Sequence, residues 1–170
     1  NPTVSEGINI PGYVVGASTD GKYIYTIDYQ YAAFPDSSLN TVYLNTLELD
    51  GAKAYLRDRE IIIPATTANT EYYSIGNVVV SNEKAYYTVS HSACASDYST
   101  CQYDAQLVTA NLGDPNNIQF TSAQKLQGQG ADIIDVIQHK LFLYTYANSG
   151  GIIIYSLANP LEPGFETFYR

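Results

Sequence analysis

The feature that most constrains this chain is a β-rich pattern that occurs three times along it. In each copy, an apolar run is followed by a two-residue turn and by a lysine that opens a second β-rich run. A repeat of this kind predicts structural units of the same type in series, so it decides the architecture before any single residue does. The turns are Asp20-Gly21, Asn82-Glu83 and Gln138-His139, and the lysines are Lys22, Lys84 and Lys140.

A second predicted hairpin follows each of these first hairpins. At Asp50-Gly51 the turn signal is strong, because glycine accepts the positive φ that a tight hairpin turn requires. No segment keeps a helical period of 3.6 residues for three turns. The sequence therefore predicts one all-β domain over residues 1–170, made of three tandem four-stranded antiparallel units at 11–63, 71–127 and 131–170. The later strands of these units are expected at residues 42–47, 106–111 and 152–157 and at 54–62, 118–126 and 165–169.

Two folds accommodate three such units, the β-trefoil and a partial β-propeller. Apolar residues run continuously at 78–80, 133–134 and 152–154. In a strand with one solvent-exposed face, apolar and polar residues would instead alternate. Continuous runs are typical of strands covered on both faces, as when sheets stack face to face. The charged run at 57–60 is typical of an exposed outer edge strand. A partial β-propeller is therefore predicted, with the β-trefoil as the alternative.

Residues 20–25 and 152–160 resemble the blade repeats of secreted bacterial and archaeal β-propeller proteins. The resemblance covers nearly the whole chain from Pro11 onward, and it implies a fold and an extracellular setting without an activity. Propellers usually close with about four to eight blades. Because the chain has three units, the resemblance implies that further blades or another chain complete the ring.

Composition excludes some partners and indicates a compartment. The formal net charge is −9 and only eight residues are Lys or Arg, which argues against nucleic acid and anionic membrane surfaces. No apolar stretch approaches the ~20 residues needed to cross a bilayer. Cys94 and Cys101 lie close together in a polar stretch and are predicted to form a disulfide. A disulfide indicates an oxidising compartment, so the protein is expected to be secreted or at the cell surface.

The predicted binding surface is the face that carries the loops between second and third strands. On that face long loops are expected at 29–40, 90–104 and 147–151, with connections at 64–73 and 128–131. Exposed aromatic side chains there suit stacking on a sugar or anchoring of a protein partner, and the alternative is that they pack over the ends of the sheets. The candidate binding residues are Tyr29, Tyr31, Phe34, Asp36, His91, Asp97 and Tyr98.

The sequence contains no convincing catalytic or metal-binding constellation. His91 with Cys94 and Cys101 matches no common zinc spacing. Ser92, His91 and Asp97 lie close together in one loop, but a catalytic triad is defined by the geometry of its side chains and proximity in sequence is no evidence of it. A calcium site with ligands from Asp97 and Asp104, or from Asp28 and Asp36, is a weak alternative, because the usual Asp-rich calcium loop is missing from the sequence. No cofactor, no metal site and no catalytic residue are therefore predicted.

Three functions are compatible with these observations. The first is a non-catalytic extracellular module that binds protein or glycan. The second is the propeller portion of a secreted hydrolase or lyase acting on polysaccharide. The third is a structural subunit of a surface layer or filament.

Overall fold

The structure, a computed structural model, describes residues 8–30, 41–64, 70–126, 130–146 and 150–170. Within these ranges the chain forms strands and no helix, and the strands assemble into three antiparallel sheets. The first sheet contains β1 (Tyr13–Ala17), β2 (Tyr23–Gln30), β3 (Thr41–Asp50) and β4 (Lys53–Ile63) in that order. The third contains β11 (Ala131–Ile137), β12 (Lys140–Thr145), β13 (Gly151–Ser156) and β14 (Gly164–Tyr169), also in chain order.

The second sheet has the same plan, with its first and last strands each interrupted. Both β5 (Glu71–Ile75) and β6 (Val79–Ser81) pair with the same strand, β7 (Lys84–Cys94). Likewise, both β9 (Gln119–Phe120) and β10 (Gln124–Lys125) pair with β8 (Cys101–Asn111). The prediction of an all-β chain with three four-stranded antiparallel units is confirmed at this level.

The five predicted loops and connections all extend into strands, three of them by two residues or more. The expected connection at 64–73 contains the start of β5, the expected loop at 29–40 contains the end of β2, and the expected loop at 90–104 is reduced to residues 95–100. The reason is that β7 and β8 stay in register as far as Cys94 opposite Cys101, and β5 pairs alongside them. Serines and tyrosines at these strand ends were interpreted as loop residues, although a paired strand end exposed to solvent carries the same residue types.

The three units share a hydrogen bond that the sequence pattern does not display. In each unit a leucine close to the end of the third strand donates its backbone N–H to the carbonyl of a residue in the first turn or directly after it. The pairs are Leu49 to Lys22 at 2.8 Å, Leu112 to Glu83 at 2.9 Å and Leu157 to His139 at 2.8 Å. The first strand of each unit is also irregular, with register shifts at Val14/Gly16 and Ile133/Asp135 and a break between β5 and β6.

The turns of the second and third units need an unusual backbone. Asn82 and Glu83 have φ of 49° and 57°, and Gln138 and His139 have φ of 49° and 60°. Two successive residues with positive φ define the hairpin turn whose twist matches that of the flanking strands. The predicted turn positions are therefore confirmed, even though neither pair contains glycine.

Two apolar clusters hold the sheets together, and the second sheet contributes to both. Val78 and Val80 pack against the cluster between the first and second sheets, whereas Val79 packs against the cluster between the second and third. Alternate side chains of one continuous apolar run therefore enter opposite interfaces. The expectation that such runs mark two-sided burial is confirmed for the second sheet.

The third sheet is covered on one face only by the described residues. Ile133 and Ile153 point to the second sheet and are 0% and 5% exposed, whereas Ile134 is 53% exposed. Here the expectation of two-sided burial is wrong, because a continuous apolar run has a neighbouring sheet on one side alone. Between sheets, a first strand takes part in each approach: β1 contacts β6, β11 contacts β6 and β7, and β4 contacts β5.

Candidate functional site

A cleft of about 460 Å³ opens between the second and third sheets, at the end where β7 and β12 finish and β5 and β11 begin. We call it the hydroxyl cleft, because its polar lining is mostly hydroxyl groups. The side chains that define it are those of Ser74, Ser90, Ser92, Tyr103, Asp132 and Tyr146.

The cleft follows from the order of residues along β7. Tyr86, Thr88, Ser90 and Ser92 occupy alternate positions, so their side chains share the face that points to the third sheet. Tyr86 is buried in the apolar cluster, and the Thr88 hydroxyl donates to the Ala131 carbonyl at 2.5 Å. Further along, the two serines are too small to fill the space between the sheets. Apolar packing therefore gives way to a hydroxyl-lined opening.

Glycine at position 76 allows the close approach that shapes this opening. A Cβ at Gly76 would lie 2.3 Å from the Thr88 hydroxyl oxygen and 2.4 Å from Oδ1 of Asp132. Such distances are far below van der Waals contact, so a larger residue would push the second and third sheets apart. The first strands of these two sheets can thus lie side by side with the Asp132 carboxylate between them.

Asp132 and Tyr146 form the charged part of the cleft. The Tyr146 hydroxyl donates to Oδ2 of Asp132 at 2.5 Å, and this bond, with the negative charge of Asp132, raises the pKa of Tyr146. The Tyr146 side chain is 62% exposed, and Tyr103, which stands on the second sheet, is 52% exposed. Two tyrosine rings from different sheets therefore flank the opening.

A second cleft, of about 710 Å³, runs along the first strands of all three sheets. Its lining includes Tyr13, Tyr29, Asn77 and Ile134, and Asp132 is shared with the hydroxyl cleft. The rings of Tyr13 and Tyr29 stack with their centroids 6.1 Å apart. The two clefts therefore meet at one carboxylate.

His91 lies in a row with Tyr73 and Asp104 across three paired strands. Its Nδ1 is 3.2 Å from Oδ1 of Asp104, and its ring stacks on that of Tyr73 at 4.3 Å. Its Nε2 is buried and has no hydrogen-bond partner. A Ser-His-Asp arrangement needs a hydroxyl at Nε2, so neither Ser92 nor any other described residue completes a triad on this histidine.

Asp97 and Tyr98 lie at the tip of the β7–β8 hairpin, beyond the cleft. The Ser99 hydroxyl donates to Oδ1 of Asp97 at 2.7 Å, and the Ser99 backbone N–H donates to the same oxygen at 3.0 Å. These bonds lower the pKa of the Asp97 carboxyl. Tyr98 is 54% exposed, with its hydroxyl oxygen 3.4 Å from that of Tyr72.

The structure bonds Cys94 to Cys101 at the base of this hairpin, which confirms the predicted disulfide. Of the other predicted binding residues, Tyr29 lines the second cleft and the hydroxyl cleft reaches His91. Tyr31, Phe34 and Asp36 lie outside the described residues.

The sequence interpretation missed the residues that build the hydroxyl cleft. A period of two in Thr88, Ser90 and Ser92 was a usable signal, because it places three hydroxyls on one face of a strand. Asp132 and Tyr146 gave no such signal, since their contact depends on how β11 and the end of β12 meet.

Within the described ranges, no three His, Cys, Asp or Glu side chains gather closely enough to hold a metal ion. The carboxylates considered for calcium have other partners: Asp104 contacts His91, and Asp28 accepts from Arg59 at 2.7 Å. In the same part of the chain, no helix has the length and apolar character needed to cross a membrane.

Comparison with known proteins adds no family to these observations. No protein-family model matches the chain, and no curated protein matches it significantly. The geometry of the clefts is therefore the basis for a functional proposal.

Proposed function

We propose that the protein is a non-catalytic extracellular binding module, built as consecutive blades of a β-propeller, and that its hydroxyl cleft binds a glycan. The observation that carries the proposal is the cleft lining. Hydroxyl groups, a carboxylate and two exposed tyrosine rings line it, and no described hydroxyl bonds to Nε2 of His91.

The propeller part rests on how the sheets repeat. Each unit has the same strand order, an irregular first strand and the same leucine-to-turn hydrogen bond. The second sheet is covered on both faces, and the sheets approach each other mainly along their first strands. Blades around a propeller axis have these properties, since their innermost strands crowd together while their faces stack.

The glycan part rests on matching chemistry. A sugar presents hydroxyl groups that both donate and accept hydrogen bonds, and serine and tyrosine hydroxyls do the same. It also presents an apolar ring face, which the flat and amphipathic ring of tyrosine suits. The cleft volume of about 460 Å³ falls in the usual range of ligand sites, which is roughly 300–1,000 Å³.

The extracellular setting rests on the disulfide between Cys94 and Cys101, because disulfides persist in oxidising compartments. A ring of blades would also need more sheets than the three seen here. Exposed apolar side chains on the uncovered side of the third sheet, among them Tyr144 and Tyr169, are consistent with a further blade or another chain at that place. Light scattering on the purified chain would test this: a monomer at all concentrations contradicts pairing between copies, and open-ended growth favours the structural-subunit function.

A glycan array followed by calorimetry tests the binding function. Tyr103→Ala and Tyr146→Ala should each weaken binding about tenfold or more, because each removes one flanking ring. Tyr55→Ala is the matched control, since Tyr55 is also exposed (43%) but lies on β4 of the first sheet. Equal binding by all three variants, or an array without any positive glycan, would refute the proposal. Recovery of shortened oligosaccharides after incubation would instead indicate the hydrolase or lyase.

A further inference from the structure

The charges around the hydroxyl cleft narrow the class of glycan. This step rests on the function proposed above. None of the described lining residues is Lys or Arg, and Asp132 supplies a carboxylate at the place where the two clefts meet. An acidic sugar would bring a second negative charge into an opening whose described lining has no lysine or arginine, on a protein whose net charge is −9.

Asp132 is also a carboxylate of the cleft that no basic side chain neutralises. By contrast, Asp28, Glu48 and Glu166 each form an ion pair with Lys or Arg, and Asp104 contacts His91. Among the described residues, Asp132 has no such partner, and its side-chain hydrogen bond comes from the neutral hydroxyl of Tyr146. An ionised carboxylate can accept about four hydrogen bonds, so it retains capacity for a ligand donor.

The flanking tyrosine rings also favour a positively charged ligand. Tyr103 and Tyr146 line the opening and are more than half exposed, and the face of an aromatic ring attracts cations. A carboxylate next to exposed tyrosines therefore suits an ammonium group. The serine hydroxyls of the second sheet require that the rest of the ligand be polar and rich in hydroxyl groups.

From these observations we infer that the hydroxyl cleft selects an amino sugar with a free amine, and that Asp132 is the counter-ion of that amine. The amine donates charge-assisted hydrogen bonds to the carboxylate, while the sugar ring lies between the tyrosines. Tyr146 acts as a positioning residue, since its hydroxyl donates to Oδ2 of Asp132 and holds the carboxylate at the opening.

Two oligosaccharides that differ only at the amine provide the test. Glucosamine oligomers carry the charge, and N-acetylglucosamine oligomers of the same length do not. Calorimetry at about pH 6, where an amine and a carboxylate are both ionised, should show the glucosamine oligomer binding about tenfold tighter. Because the difference is electrostatic, it should shrink when salt is raised from about 0.05 M to 0.5 M.

Asp132→Asn removes the charge and keeps an oxygen that can accept from Tyr146, so the preference for glucosamine oligomers should disappear. Asp135→Asn is the matched control, because Asp135 lies on the same strand, is exposed and does not line either cleft. Circular dichroism melts of both variants establish that they fold. A preference that survives Asp132→Asn, or is lost equally in Asp135→Asn, would overturn the assignment.

The possible failures separate this inference from the proposed function. Equal affinity of the native protein for the two oligomers overturns the amine selectivity and leaves glycan binding in place. Binding of neither oligomer, together with tight binding of an acidic oligosaccharide, overturns the selectivity alone. Binding of a lysine peptide without any saccharide overturns both, and points to a protein ligand at the cleft.

Discussion

Two neighbouring isoleucines on β13 allow the contribution of each face of the third sheet to the free energy of unfolding to be measured. Ile153 points to the second sheet and is 5% exposed, whereas Ile154 points away from it and is only partly buried. Alanine at either position removes the same atoms from the same strand. For Ile153, three carbon groups at about 0.8 kcal/mol each, plus the cavity left between the sheets, give a cost of about 3–4 kcal/mol. For Ile154 the transfer cost is roughly halved and no closed cavity forms, so about 1 kcal/mol is expected.

Urea unfolding followed by circular dichroism gives both free energies of unfolding directly. It should be run on dilute protein, at a concentration where light scattering reports one chain per particle. A cost for Ile154→Ala as large as that for Ile153→Ala would refute the one-sided packing. If the Ile154 cost instead rises with protein concentration, another copy covers that face, because association stabilises only the assembled state.

Three further results are expected. Gly16→Ala should lower stability by about 1–3 kcal/mol in urea unfolding, because its Cβ would lie 2.5 Å from the Cβ of Val80 on the next sheet. Gly164→Ala is the control, since a Cβ at Gly164 would have no other atom within 4 Å. Equal unfolding free energies of the two variants would contradict the close approach. Burial raises the pKa of Tyr86 to about 12. The folded state therefore keeps that proton after the unfolded chain loses it near pH 10, and stability should fall between about pH 10 and 12. Thermal melts across this window should fall less steeply for Tyr86→Phe, and an unchanged slope would exclude the contribution. Replacing Gln138-His139 by Asn-Gly should raise stability by about 1 kcal/mol, since glycine and asparagine suit positive φ; a lower melting temperature would mean that the native pair makes contacts that offset its backbone cost.

The sequence predicted the strands and turns well, since these depend on local chemistry. The three four-stranded units, the turn positions and the disulfide of Cys94 and Cys101 were all confirmed. The errors came where long-range pairing decided the outcome. Residues 71–73 were predicted to end a connection because tyrosines fit a loop or a strand, and pairing with β7 makes them part of β5.

The candidate site was less predictable than the fold. Asp97 and Tyr98 were chosen because they lie in a loop, yet the hairpin tip carries them beyond the cleft. The cleft instead depends on Gly76, whose missing side chain admits Asp132 beside Thr88. The local sequence around neither residue predicts that approach, since Gly76 and Asp132 are far apart in the chain.

The serines of β7 and Tyr103 stand on strands that are paired along their whole length, and a covalent bond ties the two strand ends together. The wall of the cleft on the second sheet is consequently held in place by backbone pairing and by the disulfide. Residues 95–100 lie beyond that bond, so we expect the wall to stay unchanged when they are lengthened, shortened or exchanged for a foreign peptide. This hairpin therefore offers a place to attach a reporter group next to the cleft while leaving its wall intact.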